Sequence, residues 1–132
     1  PGLGDGDWIH SLQRTLPLVT GAFGPDIILI SAGFDGHRRD PLAQTNLTED
    51  GYARMAELVC ELADWHCQGR IVAILEGGYH LRATARSVAA TLRVLLGMPA
   101  PSVEVGSVHP TAQRTLDALF QALDKRCLLD HR

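Results

Sequence analysis

The chain has 132 residues, of which 45% are hydrophobic and 20% are charged, so its composition predicts a folded core and argues against a disordered protein. The formal net charge of −3 argues against direct binding to nucleic acid, which needs a basic surface. Apolar runs are too short to cross a bilayer, and the sequence shows no export signal. Three cysteines without CxxC spacing indicate reduced thiols, so we expect a cytoplasmic protein.

The first third of the chain predicts a helix followed by a strand. Apolar residues at helical spacing indicate a helix over residues 7–22, with Asp5 or Asp7 as its cap and Pro17 as a bend or an early end. The run Ile27–Ile30 is entirely apolar. A strand without polar alternation is typical of a parallel sheet that is covered by helices on both faces.

The remainder predicts one more strand and three more helices. A helix should begin at Thr48 and end at Gln68-Gly69, ahead of a second buried strand at Ile71–Leu75. Helices are then predicted over residues 81–96 and 110–127. Alternating helices and strands indicate an α/β layered fold. Because two strands are too few for a stable parallel sheet, we expect neighbouring strands from outside this chain.

The loop after the first strand carries the first candidate residue, Asp35. A carboxylate just past a buried strand is desolvated unless a metal ion or an arginine meets it, although a helix cap or an ion pair is the commoner role for such a residue. Asp40, which precedes a proline, is predicted to be only a turn former. His37 is expected to be solvated, because the two arginines that follow it would repel a metal ion.

The second strand ends in Glu76-Gly77-Gly78-Tyr79. The glycine pair indicates either a simple bend or a close approach of the backbone to a ligand. The phenol of Tyr79 is either a half-buried packing group or a hydrogen-bond donor to an oxyanion. GxGxxG, GxxxxGK[ST] and HExxH patterns are absent from the sequence, which argues against a nucleotide site and against a self-contained zinc site.

Several motifs, taken together and in order, give a more specific indication than any one of them. The chain resembles the histone deacetylase family, which includes acetylpolyamine amidohydrolases and acetoin-utilisation proteins, at Ser31–Asp35, Asp40–Leu42, Leu47-Thr48, Gly51-Tyr52 and Glu76–Tyr79. The resemblance covers residues 1–97. Residues 98–132 are predicted to form a connector and an amphipathic C-terminal helix.

The resemblance implies a three-layer α/β/α fold of the arginase/deacetylase type, with a parallel sheet and a catalytic zinc ion. It implies that Asp35 is a zinc ligand and that Tyr79 is the catalytic residue that stabilises the oxyanion. Leu42, Gly77 and Gly78 match positions that bind the substrate beside its channel. Leucine at position 42 favours acetyl-lysine or a similar acylated amine as the substrate.

Two parts of the family's active site have no counterpart in this sequence. The tandem histidines and the Asp-x-His segment, which supplies the other two zinc ligands, lie upstream in the family. We therefore expect the chain to be the C-terminal portion of a deacetylase domain, inactive until an N-terminal portion completes the site. One alternative is a non-catalytic remnant that acts as an interaction module. Another is an unrelated α/β module that binds a small molecule.

Overall fold

The computed structural model describes residues 1–125 and contains four helices and two strands in the predicted order. They are α1 (Asp5–Phe23), β1 (Ile28–Ala32), α2 (Glu49–Cys67), β2 (Ile71–Leu75), α3 (Leu81–Leu95) and α4 (Pro110–Lys125). None of the helices within residues 1–125 has the length and hydrophobicity that a membrane span requires.

The two strands form a parallel pair in which Ile28 lies opposite Ile71 and Ala32 lies opposite Leu75. Helix α2 connects them and packs against both α1 and α3. Residues of β1 and of these three helices surround one apolar crevice, so the helices cover the same face of the sheet. The core between α2 and α3 is built from small side chains, which include Ala53, Ala56 and Val94.

The other face of the sheet is open in the described part of the chain. The side chains that point to it, Leu29, Val72 and Ile74, are all exposed. The prediction of strands buried on both faces is therefore wrong for residues 1–125, because helices α1 to α3 cover only one face. A three-layer α/β/α fold needs a second layer of helices on the open face.

Helix α1 begins differently from the prediction. Gly4 is its N-cap residue, and Asp7 lies in the first turn, where its Oδ2 accepts a hydrogen bond from the Gly4 N–H at 3.0 Å. Pro17 lies inside the helix without ending it. The chain leaves α1 through Gly24, whose φ of 63° is in the left-handed region that favours glycine.

Asp5 joins the start of α1 to the start of α2. Its carboxylate accepts hydrogen bonds from the backbone N–H of Thr48 at 2.8 Å and from the Thr48 hydroxyl at 2.6 Å. Thr48 is the predicted N-cap of α2, and its Oγ1 accepts from the Gly51 N–H. The capping residue of α2 is thus itself held in place from α1.

The segment after α3 packs back onto the rest of the structure. The His109 N–H donates to Asp7 Oδ1 at 2.6 Å, and Leu116 of α4 is buried. The guanidinium of Arg14 lies 5.0 Å from the ring centroid of Phe120, a distance typical of a cation–π contact. Helix α4 therefore lies against α1.

Candidate active site at the carboxyl ends of the strands

The loops that follow β1 and β2 run side by side beyond the sheet. The Glu76 N–H donates to the Ala32 carbonyl at 3.1 Å, and the Phe34 N–H donates to the Gly77 carbonyl at 2.8 Å. The Ser31 hydroxyl also donates to Glu76 Oε1. These bonds continue the pairing of the strands, so the loop that carries Asp35 and the loop that carries Tyr79 share one edge of the sheet, as the parallel topology predicts.

The carboxylate of Asp35 lies against the backbone of the second loop. A Cβ added to Gly77 would lie 2.8 Å from Asp35 Cγ and 2.8 Å from Asp35 Oδ2. Asp35 is exposed, so the prediction of a desolvated carboxylate is wrong for the described chain, because the loop projects beyond the strand end. The side chain is therefore open to a cation.

The donor chemistry at Asp35 fits one position of a zinc site, since carboxylate oxygens are ordinary zinc ligands. Residues 1–125 hold no cluster of three or more histidine, cysteine, aspartate or glutamate side chains that could bind a metal ion. A catalytic zinc site uses three protein ligands. Any such site at Asp35 therefore requires ligands from outside the described residues.

Aromatic packing beneath Asp35 fixes the start of its loop. Phe34 is buried, and its ring meets the ring of Tyr52 from α2 edge-to-face, with centroids 4.9 Å apart. Burial raises the pKa of Tyr52 to about 12, and the negative charge of Asp35 acts in the same direction. The phenol of Tyr52 therefore stays protonated at neutral pH and belongs to the packing beneath the site.

The glycine pair of the second loop is required by close contacts on two sides. Gly77 leaves room for the carboxylate of Asp35, and Gly78 has a φ of 140° with its Cα close to Thr84, whose Oγ1 would lie 2.5 Å from an added Cβ. Tyr79 follows with its side chain 60% exposed. His80 is the N-cap of α3, and its Nδ1 accepts from the Ala83 N–H. The turn thus presents Tyr79 to solvent at the strand end.

Asp40 connects the two loops, a role that the sequence did not reveal. The predicted turn is present, because the Leu42 N–H donates to Oδ1 at 3.0 Å. The other oxygen, Oδ2, accepts from the Tyr79 N–H at 2.7 Å and from the His80 N–H at 3.2 Å. The Asp-Pro pair indicates a turn, but no local signal points to a partner 39 residues away.

Leu42, the predicted substrate-binding side chain, lies on the same connected unit. Its backbone is held by Asp40, and its side chain is 67% exposed. The structure therefore brings the five predicted site residues onto two adjoining loops. Asp35 packs against Gly77, and Asp40 joins Leu42 to Tyr79.

His37 is buried, with 2% of its surface exposed, so the prediction that it is solvated is wrong. Its Nδ1 accepts from the Arg39 N–H at 3.1 Å, which assigns the ring hydrogen to Nε2, and Nε2 donates to Glu49 Oε2 at 3.0 Å. The bond from His37 lowers the pKa of Glu49. The loop folds back through a bond from the Arg38 N–H to the Leu47 carbonyl, and this turns His37 inward.

Comparison with known proteins gives one family. The model of the histone deacetylase domain matches residues 1–95. Histone deacetylase 15 of Arabidopsis thaliana is 44% identical over 96 residues, which are 73% of this chain and 17% of that protein. The human polyamine deacetylase HDAC10 is 37% identical over 121 residues, which are 92% of this chain and 17% of that protein.

Solved structures give the same result. The crystal structure of the HDA15 HD domain superimposes with a TM-score of 0.80 at 37% identity, over 94% of this chain and 32% of that one. The structure of the histone deacetylase Clr3 gives a TM-score of 0.82 at 33% identity, over 90% of this chain and 19% of that one. The chain thus spans about a third or less of each of these proteins.

These matches confirm the fold and the resemblance that the motifs indicated. The helices and the parallel strand pair form part of an α/β fold of the arginase/deacetylase type. The family model covers 95 of the 132 residues, including both loops of the candidate site. The chain belongs to the histone deacetylase family.

Proposed function

We propose that the chain is the C-terminal portion of a zinc-dependent deacetylase domain that hydrolyses the amide of acetyl-lysine or of a similar acylated amine. The observation that carries this proposal is the pairing of the two loops, which brings Asp35 and Tyr79 to one edge of the sheet. Membership of the histone deacetylase family and similarity to a polyamine deacetylase support the reaction type.

Asp35 is the residue of this chain that would hold zinc. It is exposed, and both of its carboxylate oxygens lie beside Gly77, where a side chain would collide with them. Bound zinc supplies Lewis-acid polarisation of the substrate carbonyl. The remaining ligands and the acid/base histidines would come from an N-terminal portion of the domain, so the 132-residue chain is expected to be inactive alone.

Tyr79 is the proposed catalytic donor of this chain. Hydrolysis of an amide places negative charge on the former carbonyl oxygen, and a positioned O–H group stabilises that charge. The exposed phenol of Tyr79 is free to reach a substrate held next to Asp35. Loss of one such donor costs about 100- to 1,000-fold in rate.

The substrate-binding residues are proposed to be Leu42, Gly77 and Gly78. The exposed side chain of Leu42 offers an apolar surface to the methylene chain of an acylated amine. The two glycines lack side chains, and this lets the acyl group pass close to the backbone between the loops. The proposal includes a cytoplasmic location and no direct contact with nucleic acid or a membrane.

The test uses the longest natural protein that contains this chain. Bound zinc and the deacetylation of an acetyl-lysine peptide are measured for the wild type, Tyr79→Phe and Asp35→Asn. We expect Tyr79→Phe to retain zinc and lose about 100- to 1,000-fold in kcat, and Asp35→Asn to lose zinc. Tyr52→Phe is the matched control, because Tyr52 is the only other tyrosine of the chain. Full activity of Tyr79→Phe would refute the assignment.

The second candidate is an interaction module without activity. The lack of a three-ligand metal cluster within residues 1–125 fits both proposals, because the deacetylase portion is also expected to hold an incomplete site. The two proposals differ in what they require upstream of residue 1. A deacetylase needs the tandem histidines and the Asp-x-His segment, and an encoded protein that lacks them would support the interaction module.

A further inference from the structure

The carboxylate of Asp40 is the only side-chain group described in residues 1–125 that forms hydrogen bonds with both site loops at once. Asp40 is buried, with 6% of its surface exposed. Oδ1 accepts from the Leu42 N–H at 3.0 Å, and Oδ2 accepts from the Tyr79 N–H at 2.7 Å and the His80 N–H at 3.2 Å. Each oxygen therefore serves one loop.

Tyr79 depends on this contact more than an ordinary packed side chain would. Its ring is mostly exposed, so burial does little to fix it. The residue before it, Gly78, has a φ of 140° and allows the backbone more freedom than any other residue type does. The N–H that Asp40 holds is attached to the Cα from which the phenol extends. The position of the phenol therefore follows the position of Asp40.

We propose that Asp40 is a positioning residue for the deacetylation reaction, acting through the backbone of Tyr79 to aim its phenol. This inference rests on the proposed function. Asp40 itself does not touch the reacting atoms in this scheme. Its contribution should appear in kcat, because the phenol acts on charge that develops in the transition state.

The chemistry of the site requires an ionised aspartate. Three N–H groups point at the side chain, and a carboxylate has two acceptor oxygens, whereas an asparagine has one. Burial alone would raise the pKa of Asp40, but the bonds from Tyr79, Leu42 and His80 outweigh it and lower that pKa. An asparagine at position 40 must turn its NH₂ group toward one of the two loops and release that loop.

The experiment is a double-mutant cycle in the longest natural protein that contains the chain. The variants are Asp40→Asn, Tyr79→Phe and both together, assayed for kcat and KM on an acetyl-lysine peptide. We expect Asp40→Asn to lower kcat by about 10- to 100-fold, as a displacement near 1 Å does, with KM little changed. In the Tyr79→Phe background the same change should add almost nothing. The matched control is Asp26→Asn, which changes an exposed aspartate at the other end of β1. It should leave kcat and KM unchanged.

The outcomes separate the two hypotheses. Losses that multiply in the double variant, or a loss confined to KM, would overturn the positioning role while leaving the function intact. A wild-type protein without deacetylase activity would instead overturn the proposed function, and full activity of Tyr79→Phe would overturn the role given to Tyr79. Amide hydrogen exchange gives a measurement that does not depend on activity. Asp40→Asn should speed exchange at the Tyr79 and His80 amides, and unchanged rates there would overturn the inference.

Two further measurements cover a variant that fails to fold. Asp40→Ser keeps a hydroxyl that can accept from the Leu42 N–H but is too short to reach Tyr79, so it should reproduce the loss of kcat. The wild-type protein alone also gives a check. We expect its Tyr79 amide to be protected, and exchange at the rate of an unstructured peptide would overturn the inference.

Discussion

Gly77→Ala is a small change that tests whether the carboxylate of Asp35 acts at the reacting centre. The added Cβ would lie 2.8 Å from Asp35 Cγ and 3.0 Å from Asp35 Oδ1. Since non-bonded carbon atoms pack no closer than about 3.5 Å, the carboxylate has to retreat by roughly 0.7 Å. Gly77, unlike Gly78, does not have a positive φ, so an alanine at position 77 strains contacts rather than the backbone.

Gly77→Ala should change the free energy of unfolding only slightly and the affinity for zinc strongly. Asp35 is exposed and can rotate away, so the free energy of unfolding should change by no more than about 0.5 kcal/mol, as for other surface substitutions. Metal binding tolerates far less displacement of a ligand than folding does. A displaced ligand shell lowers metal affinity or activity by about 10- to 100-fold. Gly77→Ala should therefore fold normally and bind zinc about 10-fold or more weakly.

Zinc affinity is measured by competition with a chelator, and the free energy of unfolding by urea titration. The control is Gly21→Ala in α1, where no atom lies within 4 Å of the added Cβ. It should stabilise the helix by roughly 0.5–1 kcal/mol without changing zinc affinity. Wild-type zinc affinity in Gly77→Ala would show that Asp35 is not a ligand. A large loss of stability would show that the exposed carboxylate of Asp35 cannot rotate away from the added methyl group.

Three further predictions concern stability and titration. Thr48→Ala removes the N-cap of α2 and the hydroxyl bonded to Asp5, so the free energy of unfolding should fall by about 1–2 kcal/mol, with Thr48→Ser as the control. The bond from His37 lowers the pKa of Glu49 below its ordinary value of 4.5. The ionised Glu49 therefore stabilises the fold fully above pH 4.5, and this contribution is lost as the pH falls through the lowered pKa. Glu49→Gln should flatten this acid-side slope in unfolding measured against pH. Tyr52, with its pKa raised from 10.0 to about 12, should stabilise the fold fully below pH 10 and lose that contribution by pH 12. Phenolate absorbance should show the late ionisation, and Tyr52→Phe should remove it.

The secondary structure was largely predictable because its signals are local. Strand β2 occupies the predicted residues 71–75. Thr48 caps α2, and Gln68 at its C-cap adopts a φ of 56° before Gly69. The start of α1 was not predictable in the same way. Asp5 resembles a helix cap in sequence, but its carboxylate bonds to Thr48, 43 positions away.

The candidate site was predictable only in part for a related reason. The parallel order of the strands brings Asp35 and Tyr79 to one edge, and the motifs of the family identify both residues. The burial of His37 and the bridging role of Asp40 depend on how the connecting loop folds back on itself. That folding rests on non-periodic backbone bonds, such as those from Asn46 to Leu3 and from Arg38 to Leu47. Such bonds leave no spacing pattern in the sequence.

The roles of the individual site residues and the domain division at residue 97 stay predictions. Helix α4 lies beyond residues 1–95, which the family model matches, and it packs on α1 through the buried Leu116 and the Arg14–Phe120 contact. Removing it would expose apolar surface on α1 without removing any residue of the two site loops. A loss of stability with zinc affinity retained would therefore be the expected signature of a supporting helix outside the site.

The open face of the sheet connects the fold to the function. Leu29 and Val72 lie side by side in the strand register and are exposed on that face together with Ile74. Apolar strands of this kind belong in a sheet covered on both sides, and the chain spans only 32% and 19% of the matched structures. In the proposed deacetylase, additional residues would cover the sheet and supply the other ligands of the proposed zinc site, since residues 1–125 hold no cluster of three candidate ligands. We therefore expect a protein whose additional residues bury this face also to have a complete metal site. A protein that has one of these two features without the other would contradict the proposed domain.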